Sequence, residues 1–204
     1  MKKHAVILMA VLMVFGFSTA AAAAPVLTFD IDFERDGVMD TGSTYNLMMG
    51  DTVDVDLLFS ITEEGVPGGG WDLRFDSSNL AASGLVIAMP FVNMGGSGIS
   101  PGHVLFDAVV FPPGTFLGPG TEILMASFTL ECTGISFDEL WLYDPNPGSV
   151  QWVTSSGLVL DDVIWPGGDP IYLGAINNVP IPGAVWLLGS GLIGLIGIRR
   201  RMAA

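Results

Sequence analysis

The chain of 204 residues sets 21 Asp and Glu against seven Lys and Arg, a formal charge of −14, and has two histidines and one cysteine. Five of the cations are Lys2, Lys3, Arg199, Arg200 and Arg201, so the body holds only Arg35 and Arg74 against all 21 acids, a net charge of about −19. Such a field excludes nucleic acid and anionic membrane as partners of the body. The lone Cys132 excludes an intramolecular disulfide.

Residues 1–24 read as a secretory signal. Lys2 and Lys3 precede an apolar stretch over 5–17, and a small-residue tract over 18–24 follows. The apolar stretch is short for a permanent span, and no cysteine ends it, so lipid attachment there is excluded. Residues 25–170 are then expected to form one exported domain, enough chain for a sizeable core.

The body opens on DIDFERDG, which places Asp32, Glu34 and Asp36 before Gly37, with Asp40 at the ninth position of the pattern. Calcium takes six to eight hard oxygens, and closely spaced carboxylates before a glycine turn supply them. Ser43 stands where such loops carry a bidentate Glu. The other reading is a strand entering a turn, with Asp30, Asp32 and Glu34 on its wet face.

Strand signals follow in order. In TVDVDLLFSI, Val53, Val55, Leu57, Phe59 and Ile61 share a face opposite Asp54, Asp56, Ser60 and the following Thr62, with Leu58 the lone exception. In WDLRFD, Trp71, Leu73 and Phe75 oppose Asp72, Arg74 and Asp76. HVLFDAVVF reads as a short strand. In EILMASFTLEC, Leu124, Ala126, Phe128, Leu130 and Cys132 share a face. DELWLYD, VQWVT and GLVLDDVIW read as further strands. Gly- and Pro-rich stretches such as EEGVPGGG and FPPGTFLGPG punctuate them. About eight short strands with no 3.6-residue period predict an all-β fold, an antiparallel β-sandwich.

MGDTVDVDLLFSI, GGGWDLRFDSSNLAASGL and GTEILMASFTLECTGISFDEL together resemble the cohesin-like sandwich domains. Gly50, Asp51, Asp72, Leu73, Phe75, Asp76, Leu80, Phe128 and Gly134 carry the resemblance. It implies a jelly-roll-like sandwich of cohesin or carbohydrate-binding type, and it carries over no ligand.

Two further candidate sites come from the residues. Trp141 and Tyr143 fall with Glu139 on the face opposite Leu140 and Leu142. An exposed aromatic pair on a sandwich stacks sugar rings, whereas a covered pair belongs to the core. His103 is the one histidine beyond the signal, with Ser100 and Asp107 near it in sequence. A catalytic triad needs geometry that sequence nearness does not supply. Cys132 has no cation near it in sequence and reads as a small buried hydrophobe.

GDPIYLGAINN, which ends in 171–178, reads as a linker to the tail over 179–204. An uncharged apolar run over 184–198 ends on Arg199, Arg200 and Arg201. That run is about 22 Å long as a helix, and counted from Val179 the span is about 30 Å, the thickness of a bilayer core. The arginines would stay in the cytoplasm as a stop, with the body outside. Val179, Pro180, Ile181 and Pro182, the glycine-bearing apolar run and the terminal arginines resemble the PEP-CTERM sorting signal. Ile181 stands where the commoner pattern has Glu. That resemblance implies processing by an exosortase, a membrane protease of exopolysaccharide-making Gram-negative bacteria. The Gly189-x-Gly191-x-x-Gly194 spacing lacks the strand and acid of a dinucleotide site.

The expected protein is an exported, non-catalytic sandwich held in the inner membrane by its tail helix and then delivered to the cell surface or matrix. Its partners there would be an exopolysaccharide or another matrix protein. The alternative is a polysaccharide-binding module using Trp141 and Tyr143, and a hydrolase comes third.

Overall fold

The computed structural model describes residues 26–62, 66–112 and 116–179. The signal segment, Pro180, Ile181, Pro182, the apolar run and Arg199, Arg200 and Arg201 lie outside the described residues.

Two sheets face each other. One has four antiparallel strands in the order β1 (Leu27–Phe33), β3 (Thr52–Ile61), β9 (Gly120–Cys132) and β5 (Leu80–Ile87). The other follows the path β2 (Thr44–Met48), β11 (Ile171–Val179), β10 (Phe137–Tyr143), β4 (Gly68–Arg74), β8 (His103–Val110) and β6 (Phe91–Asn93). The short β7 (Gly98–Ser100) is added on β8. Every described pair is antiparallel except β2 with β11, so the sandwich is mixed rather than purely antiparallel.

Period-two alternation builds the core between them. Val53, Val55, Leu57, Phe59 and Ile61 of β3 are all buried, as are Trp71 and Leu73 of β4 and Leu140 and Leu142 of β10. Each fully buried side chain of this kind contributes about 1.5–3 kcal/mol. On β9 the alternation slips. Leu57 pairs with Ala126 but Leu58 pairs with Leu124, a bulge that puts Met125 into the core and takes Leu124 off the expected face.

Two further expectations fail in the region after β10. VQWVT and GLVLDDVIW form no extended strands; only the bridge between Val153 and Val159 pairs, followed by a short helix α1 (Asp161–Ile164) and a 3-10 turn over Pro166–Gly168. This segment plugs the sandwich instead. Trp152, Leu160, Ile164 and Trp165 are buried, with Trp152 edge-on to Phe29 at 5.5 Å and its Nε1 donating to the Gly70 carbonyl at 3.0 Å. Gly69 is required there, because a Cβ on it would overlap the Trp152 indole. The Asp161 carboxylate accepts the backbone N–H groups of Gln151 and Trp152, which a ladder would otherwise satisfy.

Residues 171–178 are not a linker. They form most of β11, paired on both sides by β10 and β2, with Leu173, Ala175, Ile176 and Asn178 buried. The segment lacks charge because it is an interior strand. Val179 is the last residue of that strand, opposite Met48, so it does not begin a helix.

Candidate functional site

The acidic turn after β1 stabilises backbone. Glu34 and Arg35 both sit at positive φ, 71° and 55°, a left-handed pair that costs residues with a Cβ. Three carboxylates offset that cost. Asp32 accepts the N–H groups of Asp36 and Gly37 at 3.2 and 2.9 Å, Asp36 accepts that of Val38, and Asp40 accepts that of Phe33. Glu34 accepts the Tyr45 hydroxyl, a hydrogen bond that pushes the Tyr45 pKa up to about 12. Arg35 reaches Asp56 at 3.0 Å and the Phe128 carbonyl. Asp32, Asp36 and Asp40 therefore act as acceptors that hold the turn, while Glu34 faces Tyr45 of β2. Among the described residues no group of three or more His, Cys, Asp or Glu is placed to hold a metal ion. Asp32 is also buried rather than on a wet face.

The outer face of the seven-stranded sheet presents a different arrangement. Trp141 and Tyr143 lie half-buried on it, opposite the buried Leu140 and Leu142. The strand register puts Tyr172, Trp141, Arg74 and His103 in one row across β11, β10, β4 and β8. At the usual strand spacing this row is about 14 Å long. The Trp141 and Tyr172 rings are 5.1 Å apart, the Trp141 Nε1 donates to Glu139 at 3.0 Å, and the Arg74 guanidinium lies 4.2 Å over the Tyr143 ring. Asp72, 6% exposed, holds both ends of the polar part: its carboxylate takes Arg74 Nε at 2.7 Å and faces His103 Nδ1 at 3.1 Å. The side chains of this row are thus fixed by one another, at little further cost in entropy on binding.

Beside the row lies an open cleft of about 420 Å³, where Asp76, Phe137, Asp138 and Glu139 meet Trp141 and Tyr143. Asp138 accepts Asn79 Nδ2 at 3.2 Å and Asn178 Nδ2 at 2.8 Å, and burial raises its pKa. Asp76 is fully exposed and its pKa is lowered by the hydrogen bond from Ser78.

The sequence alone singled out Trp141 and Tyr143, and the structure places them together. It adds Tyr172, hidden in the supposed linker, and Arg74 and Asp72, whose signal was the polar half of β4, and it sets His103, singled out in the sequence beside Ser100 and Asp107, in the same row. The carboxylate beside His103 is Asp72 and not Asp107, which instead accepts nothing from the ring and holds its N–H on Ser97. Cys132 is buried, and burial raises its pKa.

No protein-family model and no curated protein sequence matches the chain. Solved structures do. The third cohesin of ScaC from Acetivibrio cellulolyticus, solved with a ScaB dockerin, superposes with a TM-score of 0.50 at 12% identity, covering 74% of this chain and 99% of that one. The sixth cohesin of scaffoldin B of the same bacterium gives 0.46 at 15% identity over 74% and 99%. CaCohA2 from Clostridium acetobutylicum gives 0.44 at 14% identity over 74% and 91%. The described body has the two-sheet sandwich fold of a cohesin module.

Proposed function

We propose that this chain is an exported, non-catalytic interaction module whose outer seven-stranded face docks a partner protein. Its tail addresses it through an exosortase-type protease to the cell surface or matrix of a Gram-negative bacterium. The observation that carries the docking reading is the continuous row Tyr172, Trp141, Arg74 and His103, pre-ordered by Asp72 and Glu139 on an open sheet face. Tyr, Trp and Arg are the residues that anchor interfaces, and here they stand side by side with their geometry fixed. The ScaC cohesin solved with a dockerin supports a protein as the kind of partner for such a sandwich. The sorting part rests on the order of Val179, Pro180, Ile181 and Pro182, the apolar run over 184–198 and Arg199, Arg200 and Arg201.

A second reading, polysaccharide binding, is favoured by one observation: Trp141 is half-exposed at the rim of a cleft carrying Glu139 and Asp138. A photo-crosslinking residue at Tyr143 in native cells separates the two, with Leu158 as the control site. The docking reading expects a discrete protein adduct at position 143 alone, on a mature chain whose mass ends within residues 180–183. Absence of a protein adduct, together with glycan-array binding lost in Trp141→Ala, would transfer the site to polysaccharide. A mass retaining Arg199, Arg200 and Arg201 would remove the sorting step.

A further inference from the structure

The two ends of the sandwich differ in what leaves them. β11 stops at Val179, and three turns surround that point. Met48 is the strand partner of Val179 and opens the turn to Asp51, whose N–H donates to the Met48 carbonyl. The loop from Thr133 to Phe137 lies alongside, with Asn178 N–H on the Ser136 carbonyl at 2.8 Å. The turn over Asp76 to Asn79 joins them, because Thr133 and Gly134 both donate to the Asn79 carbonyl. Apolar side chains stand out into solvent from this rim: Met48 is 42% exposed, Met49 52%, Ile135 58% and Phe137 55%.

Only residues 180–183 separate Val179 from Ala184, where the apolar run begins. Fully extended, that tether reaches at most about 18 Å. We propose that this rim is a lipid-contacting end: Met48, Met49, Ile135 and Phe137 seat in the interface of the bilayer that takes up residues 184–198. The inference rests on the reading of that run as a membrane span. Such a short tether leaves the rim no solvent-filled gap much wider than a headgroup layer, and unbranched Met and aromatic Phe are suited to that boundary. The charge chooses the lipid. The three turns carry Asp51 and Asp76 and no Lys or Arg, so the contact is apolar and made with zwitterionic headgroups, which anionic ones would weaken. The strands then stand on the membrane. At the usual rise per residue the row lies about 13 Å from Phe137 along β10 and about 7 Å from Asp76 along β4, so its Trp141 and Tyr172 end stands above the rim.

The test uses the full chain in phosphatidylcholine vesicles, with an environment-sensitive fluorophore on single introduced cysteines and a nitroxide lipid as quencher. Native Cys132 is 1% exposed and stays unlabelled. Labels replace Met49, Ile135, Phe111 and Leu192. Phe111 is 55% exposed and follows β8 at the opposite end of the sandwich. Met49→Cys and Ile135→Cys labels are quenched at least about twofold more than Phe111→Cys, and less so when the vesicles are made anionic. Quenching at Leu192→Cys with Met49→Cys and Ile135→Cys no different from Phe111→Cys overturns the rim contact and leaves the span standing. No quenching at Leu192→Cys overturns the span, and the rim contact with it.

Discussion

Two carboxylates sit where burial disfavours their charge. Asp138, beneath the cleft, and Asp161, in the plug, both have pKa values raised above the ordinary 3.8 by desolvation. Hydrogen bonds from Asn79 to Asp138, and from Trp152 and Gln151 to Asp161, counter only part of it. A raised folded pKa means the native protein keeps a proton that the unfolded chain has lost. Below pH 3.8 the group is neutral in both states and costs nothing. Stability then falls as pH rises from 3.8 through the folded pKa, and stays lowered above it. Asp138→Asn removes this dependence while keeping an acceptor for one of its two amide donors. The difference in unfolding free energy, variant minus wild type, is expected to rise between pH 3.5 and the folded pKa and then level off, as read from urea titrations across pH. A flat or falling difference would refute the assignment. Asp76 acts in the opposite sense: its lowered pKa contributes stability that is present above 3.8 and is lost as pH falls through the folded value.

At the scale of the element, the segment between β10 and β11 is held by side chains rather than by a ladder. Trp152 makes its own contact set with Phe29, Phe59 and the Gly70 carbonyl, and Gly69 clears the room for its ring. Trp152→Ala leaves a cavity in the centre of the sandwich and an unpaired Gly70 carbonyl, a loss of about 3–5 kcal/mol. A fall in the urea midpoint with an unchanged m-value would show that the sandwich survives around the cavity. A lowered m-value would show that the whole plug has come away. β3 behaves differently because its alternation, broken only at Leu58, makes its register insensitive to any one side chain. A one-residue slip would turn Val53, Val55, Leu57 and Phe59 to solvent together.

For the whole molecule, the position of β11 decides where the chain can be cut. Ending it at Gly183 leaves every described strand in place, and the melting temperature of the body is expected to be unchanged. Ending it at Pro170 removes an interior strand, strips the inner edges of both β2 and β10 and exposes the surfaces covered by Leu173 and Ile176. Those two side chains alone contribute about 3–6 kcal/mol, a large part of the usual stability of a domain, so this shorter chain is expected to lose its cooperative melt. A cooperative transition without residues 171–179 would show that β2 and β10 close without the strand between them. A sorting cut after Val179 thus releases a complete sandwich, which is the physical link between the fold and the proposed tail.

The sequence by itself determined the all-β class and the core-facing sides of β3 and β4, while for β10 it set Leu140 and Leu142 opposite Trp141 and Tyr143 and left open which side is inside. Alternation of Val53 to Ile61, or of Trp71 and Leu73 with Asp72 and Arg74, is a local property that needs no partner to be read. It also determined that Trp141 and Tyr143 share a face. The tertiary structure decided which residues stand beside them on that face. Tyr172 and Trp141, or Arg74 and His103, lie 31 and 29 positions apart in the chain, and only strand register makes them neighbours. It decided likewise that an uncharged stretch was a strand with two neighbours and not a linker, and that an apparent pair of strands around Trp152 was a plug. Local pattern reports whether a residue prefers burial. Which residues bury it, and whether its carboxylates meet a metal or their own backbone, depends on contacts distant in sequence.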